Sequence, residues 1–512
     1  MSSVLPLQAI ERRTVPDLLD RSRRFGLDRP FFHDLGGDRI YSYQDCLERI
    51  AGLANDLARR FAPGSAVATL LSNRFECVIL RYALSCAGLL EVSINGEHKG
   101  SVLRGMLEVA DAVAIVCEER FRAEVRVCGA AIDRAAWIGE AELVALCNLR
   151  AAWEDRPRVE VGPATPCRVV FTSGTTGLSK GAELSHAYEV ITGFGYASRF
   201  ELRPDDRWMF VTPFFHIDSV LSLSTVLHGG GVFIMAPRFS ASRFWDDAVR
   251  TGTTVLLYVG TILTILRKRG DPPADHRIRM AIGVGGTAGL RDWFHGRHGI
   301  PLHEAYGLSE CAIAAATDVR APRPGSCGKP FEGYDVAVVD AVDSPVPAGK
   351  RGEIVIRPRE PHSLFSGYRR NPQGTLEKFV NLWFHTGDVG SFDAEGHLYF
   401  HGRMKAVIRH RDENISAEEL EAITGEHPAV LTCAAIAVPG ELGDEDVLLY
   451  AQPRPGVALE PDELCRFLAG QVADFMVPTY IRIVERLPLT PTEKVAKNEL
   501  SRELGPEVWR RP

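Results

Sequence analysis

Lysine is scarce in this chain of 512 residues, with nine against 50 arginines, so each lysine position is more informative than usual. The 11 cysteines are odd in number and form no C-x-x-C pair, which argues against both a disulfide framework and a zinc ribbon and fits a reducing compartment. No block of like charge stands out: 59 basic and 66 acidic residues leave a net charge of -7, which does not suggest a nucleic-acid-binding surface. Long hydrophobic runs are missing too, the longest (residues 255–266) being interrupted and too short to span a bilayer. The start, Met-Ser-Ser-Val-Leu-Pro, lacks a basic stretch leading into an apolar core, so a cytoplasmic protein without a membrane span is expected. Repeats and low-complexity tracts are absent as well.

What is present is an ordinary globular composition, 45% hydrophobic and 24% charged, in a chain long enough for about two to four packing units. Ile50, Leu53, Ala54, Leu57, Ala58 and Phe61 follow the spacing of a helix with one buried face. β-Branched apolar runs at residues 67–71, 112–116, 169–172, 209–212, 232–235, 255–259 and 280–284 read as strands, most followed by helical or glycine-rich segments. That alternation predicts an α/β fold with layered, largely parallel sheets. From about Gly328 short strands at 336–339, 353–356 and 397–400, separated by Gly, Pro and Asp, predict a small barrel-like β subdomain extending to about residue 404. Beyond it, a helix at 417–424 and a strand at 434–438 belong to a separate α+β unit.

The strongest local signal is Phe171-Thr-Ser-Gly-Thr-Thr-Gly-Leu-Ser-Lys-Gly181, directly after an apolar strand. Its glycines allow close backbone approach to a ligand, the hydroxyls of Thr172, Ser173, Thr175 and Thr176 donate, and Lys180 supplies a cation, with Gly174 and Gly177 as the flexible points. These are the parts of a phosphate cradle, although the spacing is not that of the usual P-loop and a ligand-free Ser/Thr/Gly surface loop has a similar composition. Gly283-Val-Gly285-Gly-Thr-Ala288, with Glu304 about 20 residues on, also satisfies the form of a dinucleotide fingerprint.

Together with Tyr306-Gly-Leu-Ser-Glu310, Trp383-Phe-His-Thr-Gly-Asp388, Gly402-Arg-Met-Lys405 and Pro491-Thr-Glu-Lys494, in that order across most of the chain, the Gly-rich segment resembles the adenylate-forming superfamily of acyl-CoA ligases, luciferases and peptide-synthetase adenylation domains. Ile94-Asn95-Gly-Glu-His-Lys-Gly100 looks more like the carnitine and medium-chain acyl-CoA ligase branch. The resemblance implies an N-terminal adenylation domain over 1–404 and a mobile C-terminal domain over 405–512, hinged at Lys405. It also implies ATP and Mg²⁺ as cofactors and CoA as co-substrate.

By the same resemblance Lys494 bridges the carboxylate and α-phosphate oxygens, Glu310 holds the magnesium, and Ser309 contacts the α-phosphate. Asp388 and Arg403 hold the ribose, while Tyr306 and Gly307 on one side and Gly285-Gly286-Thr287 on the other flank adenine. His216, in Pro213-Phe-Phe-His-Ile-Asp218, stands beside the acid pocket with Tyr258, Gly260, Gly283, Ala312 and Ala315. The chemistry suits these types, because joining two anions requires positioned cations and donors. Attack by a carboxylate needs no proton transfer, so His216 is expected to position rather than to act as acid or base. The small pocket residues imply a bulky or cyclic acid. A plainer account of each remains open: a solvated Lys494, a surface Glu310, a structural Asp388–Arg403 ion pair, and core packing for Tyr306.

The chain departs from the family pattern at Asp412, where glycine is usual near the pantetheine tunnel, and more mildly at Ser179 and Glu493. A charged side chain there would narrow the tunnel. The expected function is ATP- and Mg²⁺-dependent activation of a carboxylic acid to an acyl-adenylate with release of pyrophosphate, then thioester formation with CoA. The alternatives are an adenylating enzyme that passes the acyl group to a partner enzyme, a carrier protein or an amine, and a non-catalytic nucleotide-binding scaffold.

Overall fold

The computed structural model describes residues 10, 12–98, 100–129, 132–172, 180–404, 407–410, 413–440, 445–472, 474–490 and 494–512. Among them the strands are β1 (Pro30–Asp34), β2 (Arg39–Ser42), β3 (Ala66–Leu70), β4 (Leu90–Ser93), β5 (Ala114–Cys117), β6 (Ala136–Gly139), β7 (Pro166–Thr172), β8 (Lys180–Ser185), β9 (Arg207–Phe210) and β10 (Val232–Met235). They continue with β11 (Val255–Val259), β12 (Met280–Val284), β13 (Leu302–Leu308), β14 (Cys311–Ala316), β15 (Lys329–Pro330), β16 (Tyr334–Val339), β17 (Gly352–Pro358), β18 (Gly367–Tyr368), β19 (Phe379–Val380), β20 (Trp383–Phe392) and β21 (Leu398–Arg403). The last six are β22 (Val407–His410), β23 (Glu413–Ser416), β24 (Val430–Pro439), β25 (Glu445–Pro453), β26 (Tyr480–Ile483) and β27 (Trp509–Arg510).

By its internal contacts the chain divides into two compact units, one of residues 1–336, 356–384 and 395–398, the other of residues 337–355, 385–394 and 399–512. The first unit carries two large sheets, as the alternating pattern predicts. One runs β18-β8-β7-β4-β3-β5-β6 and is parallel from β7 to β6. The other runs β15-β14-β13-β12-β11-β9-β10-β1-β2 and is parallel from β13 to β1. Strands β10, β11 and β12 coincide with the apolar runs in the sequence, because a strand covered on both faces is apolar throughout.

The helix Tyr43–Arg60 starts at Ser42, whose hydroxyl accepts from the amide of Asp45, and ends on Arg59 and Arg60, the favoured charges for a C-terminus. The helix Phe75–Cys86 is apolar nearly all round and buried over its whole length except Glu76. Two further helices, His186–Arg199 and Ile217–Gly229, approach so closely at Gly193 that a β-carbon there would lie 2.6 Å from the Ser224 carbonyl carbon. Arg81, Arg168, Glu91 and Glu189 are buried together: Arg81 Nε lies 2.9 Å and Arg168 Nη1 3.1 Å from Glu91 Oε2, and Arg168 Nε 3.0 Å from Glu189 Oε2. Two cations and two anions balance, as buried charge requires. Burial alone would raise the Glu91 pKa, but the two arginines outweigh it and hold the carboxyl below its ordinary value.

A five-stranded sheet runs β16-β17-β20-β19 with β21 on β20. The second unit's four-stranded sheet runs β24-β25-β26-β27, antiparallel, parallel, then antiparallel. Ile408, Ile415, Leu420, Leu449, Leu464 and Ile481 form part of its core, with the helices Ala417–Thr424 and Pro461–Ala469 against the sheet. The sheet and the two helices make the α+β character read from the sequence. Among the described residues no helix is long and apolar enough to cross a membrane. All 11 cysteines are free thiols, ten of them buried.

Candidate active site

In the nine-stranded sheet the chain passes from β9 to β10 on one side and from β10 to β11 on the other. Connections leaving β9 and β11 therefore diverge, opening a crevice outside their carboxyl ends, where ligands of open α/β sheets bind. His216 follows β9, Gly260 follows β11, Gly285-Gly286-Thr287 follow β12, and Ser309-Glu310 follow β13. Candidates scattered over about a hundred residues of sequence thus fall on one edge of one sheet.

At the end of β12, Gly286 donates its amide to Glu304 Oε1 at 2.7 Å, and the Tyr258 phenol donates to the same oxygen at 2.8 Å. A β-carbon on Gly286 would strike that oxygen and lie 3.0 Å from the Tyr258 hydroxyl. Gly283 is tight for the same reason, its missing side chain leaving room for the Tyr258 carbonyl. Burial pushes the Glu304 carboxyl above its ordinary pKa, against the lowering effect of these two donors. Thr287 then caps the short helix Ala288–Arg291 with its hydroxyl. Glu304 thus serves the glycine turn itself through Oε1.

Strands β13 and β14 pair antiparallel, with Tyr306 opposite Ala315. Tyr306, Ala312 and Ala315 are buried, whereas Gly307 lies at the exposed end of the strand. Three phenols hold the connecting turn: Tyr188 donates to the Ser309 carbonyl at 2.9 Å, Tyr196 to the Ala312 carbonyl at 3.3 Å, and Tyr368 to Glu310 Oε1 at 2.5 Å. Burial raises the pKa of Tyr188 and Tyr196, so both stay protonated donors. Lys180 Nζ lies 5.1 Å from the centre of the Tyr368 ring. Thr172 and Lys180 face each other across β7 and β8, with the Thr172 hydroxyl donating to the Lys180 carbonyl at 3.3 Å. Ser173, Gly174, Thr175, Thr176, Gly177 and Ser179 between them lie outside the described residues, as do Lys405, Asp412 and Glu493.

His216 precedes the helix Ile217–Gly229, its ring 4.4 Å from that of Phe215. In the second unit Arg403 Nε lies 3.1 Å from Asp388 Oδ1, and Asp388 is buried where Arg403 is half-exposed. Lys494 is exposed; its amide donates to the Thr490 hydroxyl at 3.2 Å, and the Thr490 amide donates to the Lys494 carbonyl at 2.6 Å. Sequence reasoning did not find Tyr188, Tyr196 or Tyr368, because nothing local marks a phenol whose partner lies 58 to 121 residues away. Glu304 is singled out in the sequence only through its distance from the Gly283–Ala288 segment, and the structure gives it a different part, as acceptor for the glycine turn.

Two largely parallel sheets, a Ser/Thr/Gly-rich sequence following a strand and a glycine turn beside a Tyr-Gly-x-Ser-Glu hairpin whose Tyr306 and Glu310 are buried fit an adenylate-forming ligase of the acyl-CoA synthetase type. The chain belongs to the AMP-binding enzyme family, whose pattern matches residues 18–369, with the AMP-binding enzyme C-terminal domain matching residues 419–494. It is 30% identical over 465 residues to a sulfoacetate–CoA ligase of Cupriavidus necator, covering 87% of this chain and 90% of that one. To a crotonobetaine/carnitine–CoA ligase of Escherichia coli it is 27% identical over 497 residues, 90% of this chain and 93% of that one. The ATP-bound MatB of Rhodopseudomonas palustris has the same fold, with a TM-score of 0.84 at 24% identity over 94% of this chain and 97% of that one. The acyl-CoA ligase resemblance, the α/β fold and the enzyme class are thereby borne out.

Proposed function

We propose that the protein activates a small-molecule carboxylic acid with ATP, forming an acyl-adenylate and pyrophosphate, and then transfers the acyl group to CoA. The observation that carries the first half is the Glu310 carboxylate, buried at a strand end, its Oε1 accepting from Tyr368 and the Lys180 ammonium standing near that same ring. A carboxylate has two oxygens and several lone pairs, so one phenol leaves capacity for a hard cation, and Glu310 fits Mg²⁺. Bound there, Mg²⁺ would neutralise phosphate charge.

In this reading Lys180 and the hydroxyls of residues 172–176 hold the phosphates, Ser309 meets the α-phosphate, and Gly285–Thr287 with Tyr306 and Gly307 enclose adenine. The Asp388–Arg403 pair engages the ribose. His216, Tyr258, Gly260, Gly283, Ala312 and Ala315 surround a bulky or cyclic acid, and Lys494 offsets the repulsion between carboxylate and α-phosphate. Residues 1–404 act as the adenylation domain and 405–512 as a mobile domain hinged at Lys405. The free thiols favour a cytoplasmic setting.

Thioester formation rests on the names of the relatives, two of which are CoA ligases. Asp412 favours a second reading, in which the acyl-adenylate passes to a partner enzyme, a carrier protein or an amine. Incubation with MgATP, CoA and a panel of acids, followed by mass spectrometry, tests both. Acyl-CoA supports a complete ligase, accumulated acyl-AMP with unreacted CoA supports the second reading, and no acid-dependent pyrophosphate from any acid leaves the scaffold.

A further inference from the structure

The loop from Thr212 to His216 has one backbone hydrogen bond of its own, from the His216 amide to the Pro213 carbonyl at 3.2 Å, and is otherwise held by Ser219 of the following helix and by two buried side chains from another sheet's layer. Asn73 lies between β3 and the helix Phe75–Cys86, and Arg81 lies within that helix. Asn73 accepts from the Phe214 amide at 2.8 Å and donates to the carbonyls of Thr212 at 2.9 Å and Ala236 at 3.0 Å. Its amide therefore uses both donors and its acceptor, and it joins the carboxyl ends of β9 and β10 to the seven-stranded sheet. An aspartate would have the same shape and no donor.

Arg81 takes the other side of the same residue. Its Nη2 donates to the Phe214 carbonyl at 3.2 Å, its guanidinium lies 3.9 Å from the centre of the Phe214 ring, and its Nη1 donates to the Ser219 hydroxyl at 2.7 Å. Ser219 shares its proton between the carbonyls of Phe214 at 2.5 Å and His216 at 2.9 Å. The polar backbone groups of Phe214 and the carbonyl of His216 are thus fixed from outside the loop. Arg81 is itself locked by Glu91, so the loop is tied into a balanced buried charge network.

We propose that Asn73, Arg81 and Ser219 are positioning residues for the acid pocket, setting where the Phe215–His216 tip stands and so which acids are accepted. The inference deepens the proposed function and rests on it: the network explains how a loop with little regular structure can present one fixed wall to a substrate, as discrimination between acids requires. None of the three needs to touch the acid.

The test is acid-dependent ATP–pyrophosphate exchange with acetate, hexanoate, dodecanoate, benzoate, cinnamate and sulfoacetate, using the full-length protein, Ser219→Ala, Arg81→Lys and Asn73→Asp, with Tm measured for each. Ser219→Ala is the mildest change and keeps the charge network whole. It is expected to raise KM for the best acid about fivefold and to change the rate ratio between the two best acids at least threefold, with KM for ATP within twofold. Arg81→Lys is expected to act in the same direction and more strongly. Unchanged acid KM and unchanged acid ratios in folded Ser219→Ala and Arg81→Lys would overturn the proposal, and so would a parallel rise in both KM values, which marks a merely structural role. Absence of exchange with every acid in the unsubstituted protein would overturn the functional reading itself, and this proposal with it.

Discussion

The Tyr258 hydroxyl and the Glu304 carboxylate share one hydrogen bond of 2.8 Å, and through it strand β11 is fastened to the glycine turn after β12. Glu304 is buried with its pKa raised, so its donors keep it tolerable where it stands. Tyr258→Phe removes one of them. Chemical denaturation is expected to show a loss of about 1–3 kcal/mol, the cost of leaving a buried acceptor short of a partner. An unaltered midpoint would mean that the bond contributes nothing to stability.

Lys494 is exposed, so its substitution should leave folding intact. Lys494→Ala is expected to reduce acid-dependent pyrophosphate release by about 10²–10³-fold, the magnitude usual for losing one preorganised charge. ATP binding, followed by calorimetry, should be nearly unchanged. Retained turnover would remove Lys494 from the chemistry.

Gly193 has no room for a methyl group against Ser224, because the β-carbon would meet not only the Ser224 hydroxyl but also its β-carbon and carbonyl carbon, both at 2.6 Å, which no side-chain rotation can clear. Gly193→Ala should therefore destabilise by about 1–3 kcal/mol despite the better helix propensity of alanine. A rise in Tm would contradict the close helix approach.

Burial lowers the pKa of His186 and of His228 to about 3, the former accepting from the Val15 amide at 3.2 Å. Both are neutral when folded and protonate at their ordinary value, near 6.5, when unfolded. The unfolded chain thus binds more protons between pH 6.5 and 3, and stability is full above about 6.5 and falls as the pH drops. Each histidine contributes a slope of up to about 1.4 kcal/mol per pH unit in that window. Tm should be level from pH 7.5 to about 6.5 and fall from there to pH 4.5, and His228→Gln should flatten the fall.

The parallel strands were legible because burial on both faces leaves continuous apolar runs: residues 232–235, 255–259 and 280–284 are strands over the spans their sequence marks. The family was legible too, from five motifs in a fixed order, and the match of the AMP-binding enzyme pattern to residues 18–369 bears it out. Strand β8, Lys-Gly-Ala-Glu-Leu-Ser, was not, because such residues enter a sheet only through pairing with β7 and β18. Asn73 and Tyr368 were equally silent, as was the hold of Arg81 on Phe214 and Ser219, because these partners lie from 58 to 163 residues away and leave no local pattern. Family membership could be read from local motifs; the side chains that pack around them could not.

The first unit is interrupted in sequence, since it resumes at residues 356–384 and again at 395–398 after leaving at 336. During synthesis, then, the hairpin bearing Glu310 is made well before Tyr368, and strand β8 has no neighbour on its outer edge until β18 emerges. A nascent chain halted near residue 336 would display an open sheet edge and a carboxylate without its phenol. Vectorial synthesis therefore delivers the parts of this unit before the pieces that close it.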